Sequence, residues 1–315
     1  MCRNVKKDFC NLLTGFLITD MIQQDRYDPP TDDMQKGKLM TFKITADSSS
    51  DVLTLSSVPF TSVPLTIRAG EREFVDDENG DAEEMTRYML SYKGKSSTAC
   101  PSSQAWLESF GDADCVFCVT LTSGLSGSCN AARLAAQEYM EAHPGRRVHV
   151  VDTLSAGPEL RLVVEKLEEL ILAGRSFDEI VAEIEPYHQR SKLVFALQSL
   201  HNFAANGRVS KLVAAAVGTL GIRVVGRASD EGTLEPLAKV RGDRKALQEM
   251  VKIMKNLGWK GGRVRIAHNE NPEGASALKA ALCAIHEKLD IAIDRTRCLC
   301  SYYAERGGLL IGFEC

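Results

Sequence analysis

Hydroxyls, glycines and a helix start meet in one short stretch, Thr122-Ser123-Gly124-Leu125-Ser126-Gly127-Ser128. It lies between an apolar run at 115–121 and an alanine-rich segment from about Asn130 to Ala142. A strand, a turn and a helix in that order aim backbone N–H groups and the positive end of the helix dipole at one point. An anion is stabilised there without a formal positive charge. The Gly127 N–H, if free, is a natural donor for it. Glycine and serine also simply build turns, so the loop alone leaves both readings open. A second hydroxyl-rich stretch, Ser96–Ser102, reads as a turn leading into a short helix, Ser103–Ser109, with Pro101 near its start. Asp152 closes a strand-like segment from Arg147, where a carboxylate orients a loop more readily than it acts as a base.

Two catalytic chemistries could use such a joint. Gly124-Leu125-Ser126-Gly127-Ser128 departs from the nucleophile elbow G-x-S-x-G only at its last position, so a serine hydrolase acting on a lipid or ester through Ser126 is an alternative to simple binding. No His/Asp partner pair is specified for it. A phosphotransferase would also hold phosphate at the joint, yet no G-x-x-x-x-G-K-[ST] segment or carboxylate cluster for magnesium is apparent. The ten cysteines are scattered, and Cys115 and Cys118 lie three apart in a predicted strand, facing opposite ways. Neither they nor the six histidines have metal-ligand spacing. The expectation is reduced, buried thiols, no metal, no cofactor and no catalytic residue.

At 315 residues the chain exceeds what one hydrophobic core usually serves, and two domains are expected. Its 38 Lys and Arg against 42 Asp and Glu lack the basic excess that nucleic-acid binding draws on, which excludes that class. The apolar run Leu12–Ile18 is too short to span a bilayer and is flanked by Asp8 and Asp20. Residues 1–39 therefore read as a mobile extension or a start-site artefact, and the protein as cytoplasmic.

The elements that must position these groups begin at Thr41, where the pattern becomes α/β. Strands are predicted at Phe42–Ala46, 115–121 and Arg147–Val151, with helices at Glu83–Leu90, 130–142, Glu159–Ala173 and Phe177–Gln189. Val58–Ile67 carries two prolines and suits an edge or a bend. Alternating strands and helices imply a mostly parallel sheet flanked by helices, with binding loops at the carboxyl ends of its strands. Thr45–Ser50, Thr98–Ser102, Thr122–Ser128 and Asp152–Ser155 are then expected to converge. Beyond Ser191 the pattern is α+β. It has strands at Leu193–Leu197, Ile222–Ala228, Thr233–Lys239 and Arg263–His268, and helices at Arg244–Leu257 and Pro272–Leu289. Asp230-Glu231-Gly232 is a hairpin signal, and Arg297–Tyr303 and Leu309–Phe313 are closing segments. The expected organisation is an N-terminal α/β domain at 41–190 and a C-terminal α+β domain at 191–315, with a ligand between them.

These segments, in this order, resemble the DegV family of bacterial fatty-acid-binding proteins over about residues 41–315. Ile44-Thr45-Ala46-Asp47-Ser48-Ser49-Ser50-Asp51 is similar to the family's I-x-D-S-T/S-x-D segment with a small shift. Thr98-Ala99-Cys100-Pro101-Ser102 resembles T-S-Q-P-S, and Thr122–Ser128 resembles S-S-G-L-S-G-T. Val151–Ala156 is similar to V-I-D-S-x-x-x-S, and Asn206-Gly207-Arg208-Val209-Ser210 to G-G-R-I-S. Gly218–Val225 and Gly232–Gly242 fit G-x-L-L-x-I-K-P and K-x-R-G. Near the C-terminus the family has G-x-H-x-G-P-G. Here Tyr303 stands where its histidine is expected, and Glu305 and Arg306 replace Gly-Pro.

The resemblance implies a carrier that buries one long-chain fatty acid in an apolar tunnel and offers its carboxyl group to a separate fatty acid kinase. That role would tie it to phospholipid metabolism, with transient membrane contact and an oligomeric state left open. It implies Thr98, Ser126, Gly127 and Tyr303 as carboxylate contacts, with Ser123, Asp152 and Arg208 as supporting or partner contacts. Arg208, in a Gly-Arg turn, is expected away from the cradle. Leu125 reads equally as tunnel wall or core. A tail of roughly fourteen methylenes supplies on the order of 11 kcal/mol before association costs, against ~1.5–3 kcal/mol for each hydrogen bond to the carboxylate. The tail is expected to set affinity and the hydroxyls orientation.

Overall fold

A computed structural model of the protein describes residues 40–210 and 221–315. The 1–39 extension and the opening residues 218–220 of the Gly218–Val225 segment lie outside the described residues. The first sheet is wholly parallel, in the order β2 (Phe60–Val63), β1 (Phe42–Asp47), β6 (Cys115–Thr120), β7 (Arg147–Asp152). Strand β6 is buried along its whole length because helices cover both faces. Cys115, Phe117 and Val119 pack toward α4 (Pro158–Leu172) and α5 (Phe177–Arg190). Val116 and Cys118 pack toward α2 (Ser103–Phe110) and α3 (Ser128–Ala142). The two thiols thus enter separate cores, as the period of two requires. The proline-flanked strand β2 takes the sheet edge, where a missing N–H costs least.

The second sheet has six strands in the order β10 (Leu234–Arg241), β9 (Ile222–Ala228), β8 (Ser191–Leu197), β13 (Leu309–Glu314), β11 (Gly262–His268), β12 (Leu289–Arg295). Its neighbours are antiparallel except the β11–β12 pair. Alternation along β8 sends Val194 and Ala196 into one core with α7 (Asp243–Asn256) and α8 (Pro272–Cys283). Phe195 and Leu197 face the other way. Helix α4 joins the two sheets: its Leu160, Leu162, Val163 and Val164 are all buried, and β13 runs so close to its first turn that a Cβ on Gly312 would lie 2.6 Å from the Glu159 nitrogen. Arg265 reinforces the contact by bridging Glu165 of α4 at 2.7 Å and Asp290 of β12 at 3.1 Å.

Two of the elements read from the sequence take a different form in the structure. Ser96–Ala99 is strand β5 and not a turn. It completes a small antiparallel sheet with β3 (Thr66–Ala69) and β4 (Arg72–Val75), in which Ile67 faces Thr98, and α1 (Ala82–Ser91) packs beside it. Tertiary pairing to β3 outweighs the turn-forming composition of the serines. The expected helix Pro272–Leu289 stops at Cys283, and Leu289-Asp290-Ile291-Ala292-Ile293-Asp294, whose apolar residues recur every second position, forms β12. The short helices α6 (His201–Ala205) and α9 (Cys298–Ala304) complete the fold. We propose that the two halves divide near residue 190, where α5 passes directly into β8; α9 then belongs to the second half by sequence but packs Leu299 into the first.

Candidate functional site

All four stretches expected to converge reach one cavity of about 330 Å³, which is lined by Ser49, Ser126 and Ser155 from three loops and by Thr98 from strand β5. Its opposite wall is the inner face of the second sheet, including Phe195 and Leu310, with Leu299 and Tyr303 of α9. One region carries hydroxyl, phenol and guanidinium groups, from Thr98, Ser126, Tyr303 and Arg208. Most of the rest is aliphatic or aromatic, Leu125 included, with Ser49, Thr122, Ser155 and Thr233 as further hydroxyl residues in the wall. A concave, mostly apolar site with a few convergent polar groups is what an amphiphile requires.

Most N–H groups of the 122–128 loop are consumed within the protein. Ser123 N–H donates to Asp152 Oδ1 at 3.0 Å, and Gly124 N–H to Thr122 Oγ1 at 3.0 Å. Leu125 and Ser126 N–H both donate to Thr122 O, at 3.3 and 3.2 Å, and Ser128 N–H donates to Ser126 Oγ at 3.2 Å. Gly127, the residue that caps α3, has no side-chain cap, and its N–H meets no acceptor among the described residues. One open amide at a helix start, and not a ring of them, is what the loop offers an anion.

Asp47, present in the sequence reading only within the Ile44–Asp51 segment and given no role there, fixes this geometry. It is fully buried, and Oδ2 accepts from Leu121 N–H and from Ser128 Oγ, both at 2.8 Å. Its Oδ1 accepts from the Ser49 hydroxyl and N–H, capping the 3-10 turn Ser48–Ser50. One carboxylate therefore ties the end of β1 to the end of β6 and the start of α3. Burial nevertheless pushes its pKa up to about 6, against the opposing pull of those donors. The signal that could have found it is an acid followed by three serines directly after an apolar strand.

Thr98 and Tyr303 come together, with Thr98 Oγ1 2.8 Å from the phenol oxygen. Tyr303 is held by ring contacts to Phe203 and Tyr302, at 4.6 and 5.0 Å between centroids, and burial keeps its pKa above that of an ordinary phenol. It is therefore a neutral hydrogen-bonding group at physiological pH. Arg208 is not remote from the cradle as expected. The turn after α6 folds over the mouth, so that Arg208 lines the cavity, donates from Nε to Leu125 O at 3.3 Å, and also bonds Asn206 O. It meets no carboxylate among the described residues. Ser123 is exposed and outside the cavity; Asp152 holds its backbone and stands 3.9 Å from Arg133. Among the described residues no histidine lines the cavity, so no general base meets Ser126, and the hydrolase alternative lacks its partner.

The β9–β10 hairpin closes over the same loop. Thr122 Oγ1 donates to Gly232 O at 2.7 Å, and Gly232 has φ of +73° with a Cβ position only 2.0 Å from that hydroxyl. A Gly232→Ala substitution should therefore both strain the turn and push the hairpin off Thr122. We expect a loss of about 2–3 kcal/mol in urea unfolding, with faster exchange of the Gly124 amide.

A family model described as "Uncharacterised protein, DegV family" matches residues 41–314. A DegV domain-containing protein of Streptococcus pneumoniae is 44% identical over 279 residues, covering 87% of this chain and 99% of the relative. The solved structure of the Streptococcus pneumoniae fatty acid kinase B3 protein, loaded with linoleic acid, superposes with a TM-score of 0.86 at 44% identity, covering 87% of this chain and 99% of that one. A DegV family protein from Eubacterium eligens, loaded with heptadecanoic acid, gives a TM-score of 0.85 at 43% identity with the same coverage of 87% and 99%. The chain belongs to the DegV family.

Proposed function

We propose that this protein is a non-enzymatic carrier that buries the tail of one long-chain fatty acid in the cavity and presents its carboxyl group to a partner kinase for acyl phosphate formation. The observation that carries this reading is the largely apolar cavity with the hydroxyls of Thr98 and Ser126, the Tyr303 phenol and the Arg208 guanidinium gathered in one region. Two relatives of similar sequence hold linoleic and heptadecanoic acid, and one of them is a fatty acid kinase B protein. In this reading Thr98, Ser126, the Gly127 N–H and Tyr303 receive the carboxylate, Arg208 supplies the cation beside it, and Asp152 braces Ser123 and the loop. The carboxylate oxygen then attacks the terminal phosphorus of the kinase's nucleotide, and the nucleoside diphosphate leaves.

Neutral donors in direct contact, with the cation beside them, suit this task better than a tight ion pair, because the oxygen must remain nucleophilic and exposed. Affinity resides in the tail. Replacing Thr98 and Ser126 together by alanine should weaken fatty-acid binding by about ten- to a hundredfold, measured by displacement of a fluorescent fatty acid, and reduce kinase-dependent phosphorylation in parallel. Undiminished lipid retention in the double variant would contradict the assigned contacts.

A further inference from the structure

The cavity wall holds a polar group that a plain hydrocarbon tail leaves unsatisfied. Ser155 is 5% exposed and lines the cavity, yet its Oγ has no hydrogen-bond partner among the described residues. Its backbone is fully engaged: the N–H donates to Thr153 Oγ1 at 3.2 Å, and the carbonyl accepts from Thr122 N–H at 2.9 Å. The side chain is thus the one unspent part of a rigidly held residue. Behind it stands Glu159, 1% exposed, whose Oε1 accepts from the Ser191 hydroxyl while Oε2 is also orphaned. The Ser155 hydroxyl lies near enough to ease ionisation of this carboxyl, although the two do not meet as a hydrogen bond. Leaving a buried hydroxyl unpaired is costly, and an apolar residue of similar size would avoid that cost.

A hydroxyl has one donor and two acceptor positions. Unpartnered, Ser155 Oγ can present a lone pair to the cavity. A ligand O–H approaching along the tail would then find an acceptor, whereas the Ser49, Thr122 and Thr233 hydroxyls of the wall are already engaged within the protein. We propose that Ser155 is a polar station for an acyl chain bearing a hydroxyl group, so that the cavity accepts hydroxy fatty acids as well as unsubstituted ones. The inference rests on the fatty-acid reading of the site and extends it to a further class of ligand.

The test is a displacement assay on the full-length protein with octadecanoic acid and a series of hydroxyoctadecanoic acids differing in hydroxyl position. In a uniformly apolar tunnel every isomer should bind roughly tenfold or more weakly than the parent. The proposal expects at least one position to bind as tightly as the parent or more tightly. In Ser155→Ala the ratio of that isomer's affinity to the parent's should fall about tenfold, while Ser155→Thr, which keeps a hydroxyl, should preserve the ratio. Uniformly weaker binding of every isomer, or a ratio insensitive to Ser155→Ala, overturns the station and leaves the carrier reading intact. Such an outcome would fit an ordered water satisfying Ser155. Failure of octadecanoic acid and all shorter homologues to bind would instead overturn the carrier reading, and this inference with it.

Discussion

A phenylalanine at position 156 should all but abolish fatty-acid binding. Ala156 lines the cavity in the loop that leads into α4, beside Ser155. Its methyl leaves space that an aromatic ring would take from the tail. Each methylene excluded from the cavity forfeits about 0.8 kcal/mol, so displacing four or five costs on the order of 3–4 kcal/mol, a loss of several hundredfold. The added ring fills an existing void, so the protein should keep its fold, with a change of about 1–2 kcal/mol or less in urea unfolding. The effect on binding should exceed that of the Thr98 and Ser126 double variant. The reverse ranking would mean that the carboxylate contacts, and not the tail, set affinity.

Mild acidification should stabilise the folded protein. Burial raises the pKa of Asp47 to about 6 and of Asp51 and Glu159 to about 7, and raises that of Asp76 as well. A carboxyl that holds its proton more tightly when folded contributes stability that is fully present below its unfolded value. That contribution is lost as pH rises through the folded value. Between pH 7.5 and 5.5 the unfolded chain keeps these groups ionised while the folded chain takes up protons. Their sum favours folding by roughly 3–5 kcal/mol on going down that interval. His268 opposes the trend, since burial lowers its pKa, but it is a single group. The exposed carboxylates whose pKa is lowered by ion pairs, such as Asp178 with Arg147, turn the curve downward only at lower pH. Urea unfolding at pH 5.5, 6.5 and 7.5 checks the sign, and Asp51→Asn should flatten the profile. Stability that falls from pH 7.5 to 5.5 would contradict the assignment.

The parallel sheet and the loop after β6 were legible because their signals are local. An apolar run of strand length ending in Ser-Gly-Leu-Ser-Gly, followed by helix-forming residues, has few other foldings. Separated motifs in a fixed order then identified the family. Asp47 was not legible as a clamp. Its partners Leu121 and Ser128 lie more than seventy residues away, and the three serines that follow it mark a capped turn but not the distant groups it clamps. Arg208 was misplaced for the same reason, since only the packing of α6 against the first half brings its turn to Leu125. The strand at Ser96–Ala99 was hidden by its composition, because serine favours turns and only pairing to β3 draws the segment straight. Tyr303 could be placed by motif, but its bond to Thr98 joins residues 205 apart in the chain and is visible only in three dimensions.

Native mass spectrometry of the purified full-length protein, followed by extraction and identification of its lipid, decides whether the cavity is an acyl-chain site. We expect one long-chain fatty acid per chain, exchangeable for added fatty acid and lost in Ala156→Phe. A protein that carries no lipid and takes up none from a mixture of saturated and unsaturated long-chain acids would contradict it.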